Sequence, residues 1–219
     1  MAKGAYRRGK ELEDGSGEAG DEAITAIVSS CICLEAWCQE VGDQAVSQII
    51  NPDGTSVAAS TRSLASVWPQ LGRLGGKNLI VAVRALLPGD DIDLDSQPGQ
   101  DLSFLFTLRN AIVHLKPEST TRPQKAIIGG LQSRGIYTAP QRHLADHFFW
   151  LDCMNTHRVS EWACQTVINV LSHFARGWGR GEAGFHGKLE SKLRHNFRIY
   201  EDWRPLKVGT KPASRPDNF

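Results

Sequence analysis

With 219 residues, 41% of them hydrophobic, the chain is long enough to form one domain with extensions and to bury about 70% of the surface its unfolded form would expose. A formal charge of +1 excludes a general electrostatic pull toward nucleic acid or a membrane surface. The five cysteines are odd in number, form no CxxC pair and follow no recognisable secretory leader. A disulfide framework and a zinc site are therefore not expected, and the thiols read as buried groups of a cytoplasmic protein.

In chain order, residues 1–20 are glycine-rich, mixed in charge and nearly free of large apolar groups, which predicts a mobile arm. From Asp21 the pattern changes. Ile24, Ile27, Val28, Cys31, Leu34, Cys38 and Val41 recur at three and four, predicting a long amphipathic first core helix that ends near Gly42 or Asn51-Pro52. No apolar run reads as long enough to span a bilayer, so no membrane segment is expected. Leu64, Val67 and Trp68 suggest a short helix before Pro69, which itself suits the first turn of another running toward Leu74. Gly75-Gly76 interrupts, and Lys77–Leu87 reads as a third helix, although Val81 and Val83 would also tolerate a strand. Residues 88–100, PGDDIDLDSQPGQ, form an acidic loop whose D-x-D spacing lacks the glycine and terminal glutamate of an EF-hand, so no metal is expected there.

Residues 101–117, DLSFLFTLRNAIVHLKP, predict a helix with Asp101 as N-cap, Leu105, Leu108, Ile112 and Leu115 as its apolar stripe, and Pro117 as its stop. At about 100° per residue, Ser103, Thr107, Asn110 and His114 share the opposite face, and Arg109 lies at the margin, about 140° from His114. One helix does not bring Arg109 and His114 to a single point. A second copy across a dimer axis would complete such a site.

Between Pro117 and Pro140, the β-prone pieces Ala126–Ile128 and Gly135–Tyr137 around glycines predict a small inserted hairpin. His143 to Phe174 then reads as the longest helix, with Val159, Trp162, Ala163, Val167, Val170, Leu171 and Phe174 on its apolar face. Gly177–Gly187 breaks it. Residues 176–219 carry ten Lys and Arg against five Asp and Glu, and Phe197, Tyr200 and Trp203 interleave with Arg194, Arg198 and Arg204, a combination that suits single-stranded nucleic acid. The alternative is that these aromatics pack on the bundle while the charges face water.

Arg109, Asn110 and His114 follow the order R-N-x-x-x-H. In its helical frame this element resembles the HEPN domain family, compact helical bundles many of whose members are ribonucleases with an R-x(4–6)-H motif. The likeness spans roughly residues 20–176, and it draws on the early LEAWCQE helix, Asn110 directly after Arg109, the proline soon after His114 and the long helix around SEWACQTV. It implies an all-α HEPN-like bundle over residues 21–176, dimeric through the motif helices, that cuts RNA without metal or cofactor, with Arg109 and His114 as the catalytic pair. It also implies a toxin or defence context with a possible antitoxin or regulatory protein as partner. Some toxins of the family extend the motif to R-x(4)-H-x-Y, the tyrosine being modified by a partner nucleotidyltransferase. Lys116 stands at that position here, which puts such neutralisation in doubt and offers a further phosphate contact.

The chemistry follows from the residue types. Arginine grips a phosphate with a planar fork and stabilises charge growing on it. Histidine moves a proton between the ribose 2′-hydroxyl and the leaving 5′-oxygen. Asn110 would orient His114 or bind a phosphate oxygen. Attack by the 2′-hydroxyl restricts the substrate to RNA and predicts 2′,3′-cyclic phosphate and 5′-hydroxyl ends. Arg142 and His147 repeat the R-x(4)-H spacing at the start of the last expected helix. The first pair is preferred because it sits late in a capped amphipathic helix that another long helix follows, and the second is left a supporting role in nucleic-acid binding beside Arg194 and Arg198. Two rival readings remain: a non-catalytic module of the same fold binding nucleotide, RNA or a protein partner, and a DNA-binding regulator using the basic tail, for which no helix-turn-helix pattern is present.

Overall fold

The computed structural model describes residues 1–14, 20–50, 63, 65–71, 73–86, 93–114, 121–137 and 149–178, all within one compact unit, Met1–Arg180. The described residues form eight helices and no strand, which is the all-α class expected. In chain order they are α1 (Ala2–Asp14), α2 (Gly20–Ile50), α3 (Trp68–Leu71), α4 (Gly76–Leu86), α5 (Gly99–Val113), α6 (Thr121–Ser133), α7 (Phe149–Asp152) and α8 (His157–Trp178).

The repeat at three and four along α2 explains the centre of the fold. Ala23, Ala26, Ile27, Cys31, Leu34, Cys38 and Val41 are all buried, and α2 packs lengthwise against α8, whose Val159, Ala163, Val167, Val170, Leu171 and Phe174 form the matching stripe. Trp37 meets Phe174 edge-on, with ring centroids 5.0 Å apart. The helices α4 and α5 cover α2, and α5 reaches α8 through Phe104 and Trp162, whose centroids are 5.6 Å apart.

The chain departs from expectation in several places. The expected mobile arm contains α1, which packs on both α2 and α8 and buries Ala5 and Gly9. Small residues let its backbone approach closely, so the burial needs none of the large apolar groups whose absence suggested disorder. Arg8 adds a two-pronged ion pair to Glu22, with Nε and Nη2 at 2.6 and 2.9 Å from its two oxygens.

The expected hairpin is α6. Ala126–Ile128 lie inside this helix with Ile127 and Leu131 buried, and Gly135, at φ +66°, ends it: the Ile136 amide donates to the Leu131 carbonyl at 3.1 Å and the Gly135 amide to Gln132 at 3.0 Å. Gly135, read as the first residue of the second β-prone piece, is a helix stop.

The last helix begins at His157 instead of His143. Thr156 caps it, its Oγ1 accepting the Arg158 amide at 3.3 Å, after a turn at Cys153–Asn155 that separates it from the short α7. Finally, Gly20–Gln44 of α2 is by length and composition apolar enough to cross a membrane, contrary to the reading of the sequence. Its buried stripe is the core that α8 covers.

Candidate functional site: the motif helix and its arginine

The motif helix α5 starts two residues before Asp101. Pro98 is its N-cap residue and makes no side-chain cap, while Asp101 lies in the first turn, where a carboxylate favours the helix dipole. Its Oδ1 accepts Arg134 Nε at 2.6 Å. Arg134 also donates to the Gly130 and Gln100 carbonyls at 3.1 and 3.3 Å, and its guanidinium lies 4.3 Å from the Phe104 ring centroid. This contact holds α6 against the start of α5. Leu102, Leu105, Phe106 and Leu108 are buried and Ile112 half-buried, so the apolar stripe is present and broader than the sequence suggested.

Three of the four expected polar-face residues reach solvent: Thr107, Asn110 and His114 are exposed, and Ser103 is half-buried, its carbonyl accepting Thr107 Oγ1 at 2.9 Å. The helix ends at Val113. His114 is its carboxyl cap, with φ −109° and ψ 44°, and its amide donates to the Asn110 carbonyl at 2.9 Å. The exposed His114 therefore stands at the carboxyl end of the helix, one turn after Asn110. Lys116 and Pro117 lie outside the described residues.

The Arg109 guanidinium turns to neighbouring elements instead of running along α5. Its Nη2 donates to Glu35 Oε1 on α2 at 2.6 Å, and the same oxygen accepts the backbone amide of Gly76, the first residue of α4, also at 2.6 Å. The guanidinium carbon lies 5.4 Å from the Phe106 ring centroid. Arg109 and Glu35 remain 22% and 27% exposed, so the pair is held at the rim and not sealed in the core.

Gly76 has φ +62°, and a Cβ there would meet Phe106 Cδ1 at 3.3 Å, so glycine is needed both for the backbone turn and for the close approach of α4 to α5. One turn before Glu35, Cys31 Sγ donates to the Leu105 carbonyl at 3.9 Å, which places α2 and α5 side by side in the same sense. Burial pushes the Cys31 thiol up to about 12; the Arg109 charge and hydrogen bond pull against this and the Glu35 carboxylate adds to it.

Glu35, the partner of Arg109, is not among the candidate residues that the sequence singles out. The available signal was a carboxylate at the margin of an apolar stripe, between Leu34 and Cys38, where burial demands a partner. Of the other candidates, Arg142, His147, Arg194 and Arg198 lie outside the described residues.

The motif helix carries three chemical groups that it does not by itself bring together: a guanidinium oriented by Glu35 that still meets solvent, an exposed imidazole and an exposed carboxamide. No protein-family profile, curated protein or solved structure compared with the chain matches it.

Proposed function

We propose that the protein is a metal-independent endoribonuclease of HEPN type whose site is completed by two copies of α5 across a dimer axis. The observation that carries this reading is the placement of His114, exposed at the carboxyl end of α5 one turn after the exposed Asn110, with Arg109 fixed yet solvent-reaching on the same helix.

In this reaction His114 accepts the proton of the ribose 2′-hydroxyl as O2′ attacks phosphorus. The P–O5′ bond breaks, the leaving 5′-oxygen takes up the proton that His114 passes on, and Arg109 stabilises the charge that gathers on the phosphoryl oxygens. Asn110 orients the imidazole or binds a phosphoryl oxygen. The products are a 2′,3′-cyclic phosphate and a 5′-hydroxyl end. A toxin or defence role, restrained by a regulatory protein, is the context in which such an activity would serve.

A second reading draws on the Arg109–Glu35 pair: a guanidinium already engaged by a carboxylate also suits a non-catalytic module that binds nucleotide, RNA or a protein. Incubation of the protein with mixed RNA in EDTA, with end-group analysis, separates the two. Wild type is expected to yield cyclic-phosphate fragments, with His114→Ala and Arg109→Ala each lowering the rate at least about 100-fold while remaining folded. Equal inertness of all three on every RNA, with the dimer intact, would leave the binding module.

A further inference from the structure

Arginine fixed by a carboxylate is a common structural tie, but this one is built differently from an ordinary surface pair. The carboxylate is itself anchored: Glu35 Oε1 receives the Gly76 amide as well as Arg109 Nη2, both at 2.6 Å. That amide opens α4 at a backbone φ of +62°, and a Cβ there would stand a tight 3.3 Å from the Phe106 ring. The guanidinium is also braced from its own helix, with its carbon 5.4 Å from the Phe106 centroid.

The grip is end-on, one nitrogen to one oxygen, so Glu35 occupies only part of the fork, and Arg109 stays 22% exposed. A long, flexible cation is thereby held in one orientation, beside the Cys31 thiol, while its side chain still reaches solvent, which is what binding a phosphate in a preset geometry requires.

We propose that Glu35 is the positioning residue of this site, a carboxylate anchored on the first amide of α4 that presets the Arg109 guanidinium for an RNA phosphate while offsetting part of its charge. The inference rests on the reading that Arg109 meets the phosphate. Its two halves have opposite signs. Orientation favours the chemical step, whereas the negative charge beside the guanidinium weakens binding of the ground-state phosphate.

Glu35→Gln keeps an oxygen that accepts both N–H groups and removes the charge; Glu35→Ala removes both. Three measurements on the full chain test the inference: kcat and KM on an RNA oligonucleotide, the Kd of its uncleavable 2′-O-methyl counterpart, and water exchange of the Arg109 Nη2 protons, which Glu35 engages, by NMR. The Arg109 signal is identified by its loss in Arg109→Lys.

Glu35→Gln is expected to bind the 2′-O-methyl RNA about 3–10-fold tighter with kcat within about 3-fold of wild type, and to keep the Arg109 Nη2 protons protected. Glu35→Ala is expected to lose at least about 10-fold in kcat and that protection. If Arg109 exchange is the same in wild type and Glu35→Ala, or if Glu35→Gln binds no tighter, the positioning role is overturned, whatever happens to cleavage. If wild type cuts no RNA, the ribonuclease reading fails, and the NMR and binding arms still decide whether Glu35 sets the fork.

Discussion

Cys31 shows how competing effects settle the state of one group. It lies beside the Arg109 guanidinium, a neighbour that in an open site would favour the thiolate, yet burial outweighs that charge and holds the thiol neutral. Cys164 is pushed up to about 12 and Cys153 to about 11 by burial, and Cys38 is raised still further for the same reason. These thiols are therefore inert packing groups, and they bear on stability instead. Unfolded, each would ionise near 9.0; folded, each keeps its proton to higher pH. Their contribution is complete below about pH 9 and is lost as pH rises toward 12, at up to about 1.4 kcal/mol per pH unit per thiol. The Tm is expected to fall steeply from pH 8.5 to about 10.5, and Cys31→Ala should give a shallower slope than wild type. An unchanged slope in that variant would show that the thiol titrates equally in both states.

Glycine means different things in different elements, and its meaning depends on what lies opposite. At Gly135 it ends α6, and at Gly76 it opens α4, both at positive φ. Gly42 does neither. The helix runs through it to Ile50, and the missing Cβ leaves a notch filled by the Trp68 ring, whose Nε1 donates to Asp43 Oδ1 at 2.6 Å. Gly130 forms a similar notch in α6 for Phe104, the ring on which Arg134 lies. Alanine is the better helix former by about 1 kcal/mol, but at position 42 its methyl would lie within the Trp68 ring. Gly42→Ala is thus expected to destabilise by about 1–3 kcal/mol, with a red-shifted tryptophan emission and a lower urea midpoint. A variant as stable as wild type would mean that α3 is free to move off α2.

At the scale of the molecule, α1 decides how the bundle closes. It covers both α2 and α8 with small buried residues and a bidentate ion pair. Deleting residues 1–14 would expose the Ala23–Ile27 side of the core, and is expected to lower Tm by about 4–8 °C, equivalent to roughly 2 kcal/mol. An unordered arm would leave Tm unchanged.

Much of this architecture was legible in the sequence because helical periodicity is a local property. The repeat from Ile24 to Val41, the apolar face from Val159 to Phe174 and the polar succession Thr107, Asn110, His114 each declare a helix and its inner side within a few turns. The long early and late helices as core elements, and the place of Thr107, Asn110 and His114 opposite the apolar stripe of α5, followed from that alone. Tertiary structure decided the rest. Whether Ile127 and Ile128 belong to a strand or a helix depends on the packing of their segment against α5 and α7, and whether residues 2–14 order depends on a close approach that small side chains permit but do not announce. The partner of Arg109 is the sharpest case. Glu35 lies 74 positions away and its second hydrogen bond comes from a backbone amide, so no spacing in the chain encodes the contact; only the meeting of α2, α4 and α5 brings a carboxylate, an amide and a guanidinium to one point.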